Sequence, residues 1–198
     1  MLEAEGLEVC YTALVPDETE MIQTELIKCS DELKLPLVLT TGGASVGDYD
    51  FAERTAAALN AEPLLRKVNM KPGGTMLVSR ARGKLLVSLS GNPAAALMSL
   101  LTVLRPALLA MTGDTQQTVF WQLPVREAMP KTSGADRMLR GHLLIEDGQA
   151  WFQEHQGRGN GNISSFAGCE LIGIVPGGSA PLKKGDAIRV LRLPSPLL

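Results

Sequence analysis

The sequence predicts an α/β layer domain over residues 1–113 followed by a small, mostly β domain over residues 114–198. Three observations carry this expectation. Continuous apolar runs such as "LPLVLT" (35–40) alternate with helix-period segments in the first part. Glycine-rich corners stand where those runs pass into helices. Beyond a polar bridge, "DTQQT" (114–118), the pattern changes to short strands separated by turn residues.

The elements follow in order. "MLEAEGLEVCYTALVP" opens as the end of a helix stopped at Gly6, with "LEVCYTA" (7–13) as the next strand. "PDETEMIQTELIKCSDEL" carries an Asp17-x-x-Glu20 capping box and places Ile22, Leu26, Cys29 and Leu33 at helical spacing, which predicts an amphipathic helix. "LPLVLT" has the continuous apolarity of a strand buried on both faces of a parallel sheet. "DFAERTAAALN" (50–60) is alanine-rich and helical. "PLLRKVNM", "TMLVSR" and "KLLVSLS" are short strands, with "ARG" as a hairpin turn between the second and third. The next helix starts at "GNPAAALMSLL", where Asn92 is a natural N-cap and Pro93 suits the first helical position. In the second part "VFWQLPVREAM", "DRMLRGHLLI", "QAWFQEH", "LIGIVP" and "DAIRVLRL" are strands, Asp147-Gly148 is a turn, and "ISSFAG" is a short helix.

Bulk properties exclude several classes. The chain has 198 residues and a formal charge of -2, without a basic cluster, so it has no electrostatic footprint for nucleic acid or an anionic membrane. Cys10, Cys29 and Cys169 lie far apart, without C-x-x-C spacing and with His142 and His155 as the available histidines. That pattern reads as thiols of a reducing compartment rather than a zinc site. The longest apolar stretch, "AAALMSLLTVLRPALLAM", is interrupted by Arg105 and Pro106, falls short of a clean membrane span and follows no positively charged leader, which predicts a cytoplasmic protein.

Three strand-to-helix or strand-to-turn corners attract chemistry. In open α/β sheets anions collect where strands end and helices begin, because the helix N-terminus presents unpaired N–H groups. In "TTGGASVGDYDF" (40–51) Gly42 and Gly43 let the backbone approach a phosphate and Ser45 offers a hydroxyl. Asp48 and Asp50 would repel that phosphate unless Mg²⁺ lies between, or unless one of them caps the helix; a plain glycine turn capped by Asp48 explains the spacing equally. In "NMKPGGT" (69–75) Lys71 is either a solvated surface charge or the cation that neutralises an oxyanion. In "LSGNPAAA" (89–96) Gly91 and Asn92 open a helix, and ordinary capping accounts for Asn92 and Pro93.

Taken in order, these corners resemble one family: the molybdenum-insertion enzymes of molybdenum-cofactor biosynthesis, which include bacterial MoeA proteins and the E domain of gephyrin. That family carries T/S-x-G-G-x-S-x-G-D-x-D-[FY], K-P-G-K-P and G-N-P-x-S, and here the matching segments are "TTGGASVGDYDF", "MKPGGT" and "SGNPAAA". "HQGRGNGNISSFAGCELIGIVPGG" is similar to the family's C-terminal β domain, so the resemblance spans nearly the whole chain. It implies that residues 1–113 form a three-layer molybdopterin-binding (MogA-like) domain lacking its first strand and "GDE" loop. It also implies insertion of molybdate into the dithiolene of adenylylated molybdopterin, with Mg²⁺ and release of AMP, by a homodimer. By position, Asp50 matches the acid implicated in catalysis or Mg²⁺ handling, and Lys71 the first of two lysines at the molybdate site. Gly42, Gly43, Ser45 and Asp48 match the cofactor-facing loop, and Gly91 and Asn92 the third loop. The departures are Gly74 at the second lysine, Thr75 at the following proline, Ala95 at the third-loop serine, and Gln156-Gly157-Arg158 for Q-x-S. Thr75, Arg137 and Arg158 are the candidates to replace the lost donors. Those losses keep a second reading open, a pterin-binding or oligomerisation module without catalysis. A third, a related adenylyltransferase, is opposed by the C-terminal β domain, which that enzyme lacks by family analogy.

Overall fold

The computed structural model describes residues 2–3, 6–42, 49–111, 113, 120–155 and 163–193. They form two compact units, one of Val9–Val68 with Gly73–Ala96, the other of Met1–Glu8, Asn69–Pro72 and Leu97–Leu198.

The first unit is built on a four-stranded sheet ordered β1-β5-β4-β2, from β1 (Leu37–Thr41), β2 (Glu62–Arg66), β4 (Met76–Ala81) and β5 (Lys84–Leu89). A short β3 (Met70–Lys71) belongs to the other unit. β1 and β5 are parallel, and the other pairs are antiparallel. The hairpin between β4 and β5 turns at Arg82 and Gly83, both with positive φ (52° and 73°), as a two-residue turn that follows sheet twist requires. α1 (Thr19–Ile27) continues into a wide turn at Lys28–Glu32, and α2 (Tyr49–Ala58) lays Ala52 and Ala56 on Leu77 of β4. Edge strand β2 is blunted by Pro63, a bulge and exposed ion pairs Arg80–Glu62 and Arg66–Glu53.

Several expectations are corrected here. Residues 7–13 form no strand; a strand exists only within a ladder, and β1 pairs with β5 alone among the described residues. Tyr11 is instead tied to the helix, its hydroxyl donating to Glu25 and accepting from Lys28 Nζ at 2.6 Å. The capping box is not formed either. The helix begins beyond Asp17, with Glu18 at the cap position making no side-chain bond. Leu26 and Cys29 are buried as the spacing predicts, but Leu33 is exposed because the last turn has opened past it. β1 is half-buried rather than buried on both faces, a consequence of its place at the sheet edge.

The boundary between the units falls inside a helical run, Pro93–Met111, made of α3 (Pro93–Ser99), a wide π turn at Leu100–Leu104 and α4 (Arg105–Met111). Pro106 does not break it. In the π turn the Arg105 N–H reaches Leu100 O, five residues back, and this slack accommodates a ring that has no N–H and would crowd a regular turn. The run is long and apolar enough to cross a membrane, yet 56% of its most apolar window is buried in the protein, as for a core helix.

The second unit places β3, β6 (Phe120–Pro124), β7 (Asp136–Glu146), β8 (Gln149–Glu154), β9 (Leu171–Val175) and β10 (Ala187–Arg192) in one sheet ordered β3-β7-β9-β10-β6, with β8 on β7. A bridge from Val125 to Phe152, with the Arg126 N–H donating to Phe152 O at 2.9 Å, joins the end of β6 to β8 and closes the path. Leu123, Val125, Leu139, Phe152, Leu171, Val175, Ile188 and Val190 fill the interior. Phe152 is fully buried because two neighbours lack side chains: a Cβ on Gly141 would stand 2.4 Å from its ring, and one on Gly173 2.7 Å. Gly141→Ala should therefore lower unfolding free energy in urea by about 1–3 kcal/mol. Gly134→Ala, where a Cβ meets nothing within 4 Å, should stay within about 0.5 kcal/mol. The Gly141→Ala/Phe152→Leu pair should be less damaged than the sum of its parts.

Candidate functional site

Parallel strands deliver their C-terminal ends to one edge of a sheet. Thr41 of β1 is in register with Leu89 of β5, so the loops that lead to α2 and α3 leave the sheet side by side. At this exit the backbones touch. Gly42 has φ +98°, and a Cβ on Gly91 would lie 3.2 Å from Gly42 Cα. Beneath them the Thr40 hydroxyl donates to Ser88 Oγ at 3.1 Å, pinning the two strands together one residue before the loops begin.

Asn92 performs the cap that the sequence predicts. Its Oδ1 accepts the Ala95 N–H at 3.1 Å, its carbonyl accepts the Ala96 N–H at 2.9 Å, and its own N–H donates to Ser90 Oγ at 3.2 Å. Gly91, Asn92 and Pro93 are exposed, whereas Ala94, Ala95 and Ala96 are buried, so the helix start faces outward and its first turn is core. Asp50 is the second residue of α2, and its side chain lies outside what the structure describes. Gly43, Ser45 and Asp48 lie outside the described residues, as does Gln156-Gly157-Arg158.

Lys71 stands at a second corner, in the other unit. The sequence reads "NMKPGGT" as a turn; Met70–Lys71 in fact adds a short parallel strand to β7, with Lys71 beside Arg137. Residues paired in register project to the same face of a sheet, so an ammonium and a guanidinium share one face here. Backbone and side-chain hydrogen bonds hold the corner. Asp136 N–H donates to Asn69 O at 3.0 Å, Asn69 Nδ2 to Gly134 O at 3.1 Å, and Gly178 N–H to Ser133 O at 2.8 Å. Gly177 donates its N–H to Asp136 Oδ1 at 2.8 Å, and a Cβ there would meet Gly134 O at 2.6 Å. "VPGG" is thus the buttress of the Lys71 strand, a role that sequence reading did not assign. Arg137 Nη1 also donates to Lys131 O at 2.6 Å, which orients the guanidinium. Following Lys71, Gly74 is buried with its carbonyl accepting the Val68 N–H at 2.8 Å, and Thr75 is half-buried.

A third grouping was invisible in the spacing of the sequence. His142 on β7, His155 just past β8 and Cys169 ahead of β9 bring ligand atoms within 4.8 Å of one another. Burial, then the facing His142 and Arg140, hold His155 below its ordinary pKa, while burial pushes the Cys169 thiol up against the opposing pull of Arg140.

Strand-end glycines at a parallel pair, two helix starts beyond them and a separate cationic corner define an α/β protein suited to an anionic ligand and joined to a small β barrel. Comparison with known proteins gives the family. Residues 1–110 match the family described as a probable molybdopterin binding domain, and residues 122–193 match the MoeA C-terminal region, domain IV. A molybdopterin molybdenumtransferase of Staphylococcus aureus (strain Mu50) is 30% identical over 194 residues, covering 96% of this chain and 45% of the relative. That of Bacillus subtilis (strain 168) is 28% identical over 159 residues, covering 80% of this chain and 37% of the relative. Among solved structures, a MoeA protein of Pyrococcus horikoshii OT3 superposes with a TM-score of 0.65 at 18% identity, over 91% of this chain and 41% of that one. A molybdenum cofactor biosynthesis protein of Pyrococcus furiosus gives 0.64 at 20%, over 90% and 56%. The chain therefore spans less than half the length of these curated relatives, and it belongs to the MoeA-like family of molybdenum-cofactor biosynthesis. The geometry of Asn92 predicts that Asn92→Ala costs about 0.5–2 kcal/mol in denaturant unfolding, with Asn92→Asp or Asn92→Ser keeping most of that stability.

Proposed function

We propose that the chain binds adenylylated molybdopterin and takes part in the insertion of molybdate into its dithiolene, with release of AMP. The carrying observation is the contact of Gly42 with Gly91 at the ends of two parallel strands, where the backbone is bare enough for a phosphorylated ligand to approach. Asp50 in the first turn of α2 would supply a carboxylate oxygen to Mg²⁺, the donor type that a hard dication takes. When bound, that ion neutralises phosphate charge. Gly42, Gly43, Ser45, Asp48, Gly91 and Asn92 would face the pterin, and Lys71 would attract molybdate. Arg137 beside Lys71 supports the reading, since it sets a second cation next to Lys71 in a chain where Gly74 stands at the position of the family's second lysine. Catalysis on this account is positioning and charge stabilisation without a covalent nucleophile. We further read residues 1–113 and 114–198 as the two domains, and the assembly as a cytoplasmic homodimer that takes a pterin and an oxyanion, not nucleic acid or membrane.

One observation favours the non-catalytic module. Gly74 and Ala95 are buried, so two positions that carry polar side chains in the family contribute none here. Single-turnover assays separate the readings: metal transfer supports the enzyme, pterin binding without transfer supports the module.

Adenylylated molybdopterin with Mg²⁺ should raise the melting temperature, by the equivalent of about 2.7 kcal/mol when free ligand is about a hundredfold above Kd. Asp50→Ala with Lys71→Ala should abolish the shift, and Arg137→Ala should weaken molybdate retention while sparing pterin binding. No shift in the wild type, or an unchanged one in the double variant, would count against the reading.

A further inference from the structure

We propose that His142, His155 and Cys169 form a site for a borderline-soft divalent metal ion, best matched by Zn²⁺. The donors come from three elements of one unit, one on β7, one at the end of β8 and one in the turn before β9, so they are placed by the barrel itself rather than by a single loop. His142 is already oriented as a ligand. Its Nδ1–H donates to the Gly168 carbonyl at 2.9 Å, which leaves the lone pair of Nε2 directed away from that bond and toward His155. A backbone carbonyl on one ring nitrogen is the usual support of a metal-bound histidine, because it fixes both tautomer and ring plane.

His142 Nε2 and His155 Nδ1 are 2.9 Å apart, in hydrogen-bond contact. Two nitrogens on one tetrahedral zinc lie about 3.3 Å apart, and a nitrogen and a sulfur about 3.6 Å. The pair thus opens by a few tenths of an ångström, and the thiol, within 4.8 Å of both, closes by about 1 Å. His155 gives up its Nδ1–H by changing tautomer, moving the proton to Nε2. Cys169 loses its proton outright: the S–H bond breaks, a sulfur–metal bond forms, and one proton is released to solvent per ion. Imidazole and thiolate donors select zinc-like ions over Mg²⁺ or Ca²⁺, and three protein ligands leave a fourth position for water or an exchangeable group. Arg140, whose guanidinium binds the Ser165 hydroxyl beside Cys169, favours the thiolate but opposes the dication, so the site suits reversible rather than permanent occupancy.

Co²⁺ replaces Zn²⁺ and reports its ligands. One Co²⁺ per chain should bind with visible ligand-field bands and a near-ultraviolet thiolate charge-transfer band, and excess Zn²⁺ should erase both. Cys169→Ser should lose the charge-transfer band, and His142→Gln with His155→Gln should weaken binding about tenfold or more, while Cys10→Ser and Cys29→Ser should change neither. The chain contains two histidines, so ring-nitrogen NMR of the unaltered protein reports the site without any substitution, should the Cys169 variant fail to fold. Both imidazoles should shift together on adding one equivalent of Zn²⁺. No charge-transfer band in the wild type, a band that survives Cys169→Ser, or imidazole signals indifferent to Zn²⁺ would overturn the proposal.

Discussion

The parallel pairing of β1 with β5 is the constraint on which the first unit turns. Because the two strands run the same way, the chain must leave both at the same edge, and each exit must then reach a helix. The backbones leave that edge so close together that a Cβ on Gly91 would stand 3.2 Å from Gly42 Cα, and Gly42 itself turns through a positive φ of +98°. Everything proposed for this unit follows from that closeness: glycine backbone without side chains at the two strand ends, an exposed Asn92 cap over a buried alanine turn, and Asp50 at the head of the neighbouring helix.

The second unit solves a different problem. A small barrel has little interior, and here the one aromatic ring of the core cluster fits among the aliphatic side chains only because the adjacent strands β7 and β9 carry glycine where the ring lies. The same barrel positions its chemistry by register. β7 carries Arg137 beside Lys71 at one end and His142 toward its middle, so one long strand serves both the cationic corner and the proposed metal site. Its length comes from pairing with β9 over the first half and β8 over the second.

Much of this architecture was legible in the sequence. Apolar runs located β1, β4 and β5, turn chemistry located Arg82-Gly83 and Asp147-Gly148, and Asn92-Pro93 announced the helix start. The failures share a cause. Residues 7–13 alternate like a strand, but alternation says nothing about whether a neighbouring ladder is available. Arg105 and Pro106 read as interruptions that leave the apolar stretch short of a membrane span, yet the helical run continues through them after a π turn and is long and apolar enough to cross. The pairing of Lys71 with Arg137, and the meeting of His142, His155 and Cys169, join residues separated in the chain through the pairing of β3, β8 and β9 with β7. Spacing rules for metal sites assume ligands on one or two neighbouring turns, and here three elements supply one ligand each.

The account is tested most directly at Gly91. Gly91→Val would place a branched side chain against Gly42, where the proposed ligand must meet bare backbone, at a residue that is exposed and carries no other assigned role. Equilibrium binding of adenylylated molybdopterin, with the ligand-free melting curve as the control for folding, reads the effect. The account predicts affinity weakened about tenfold or more with a melting curve close to that of the unaltered chain. Unchanged affinity in a variant that folds normally would contradict it.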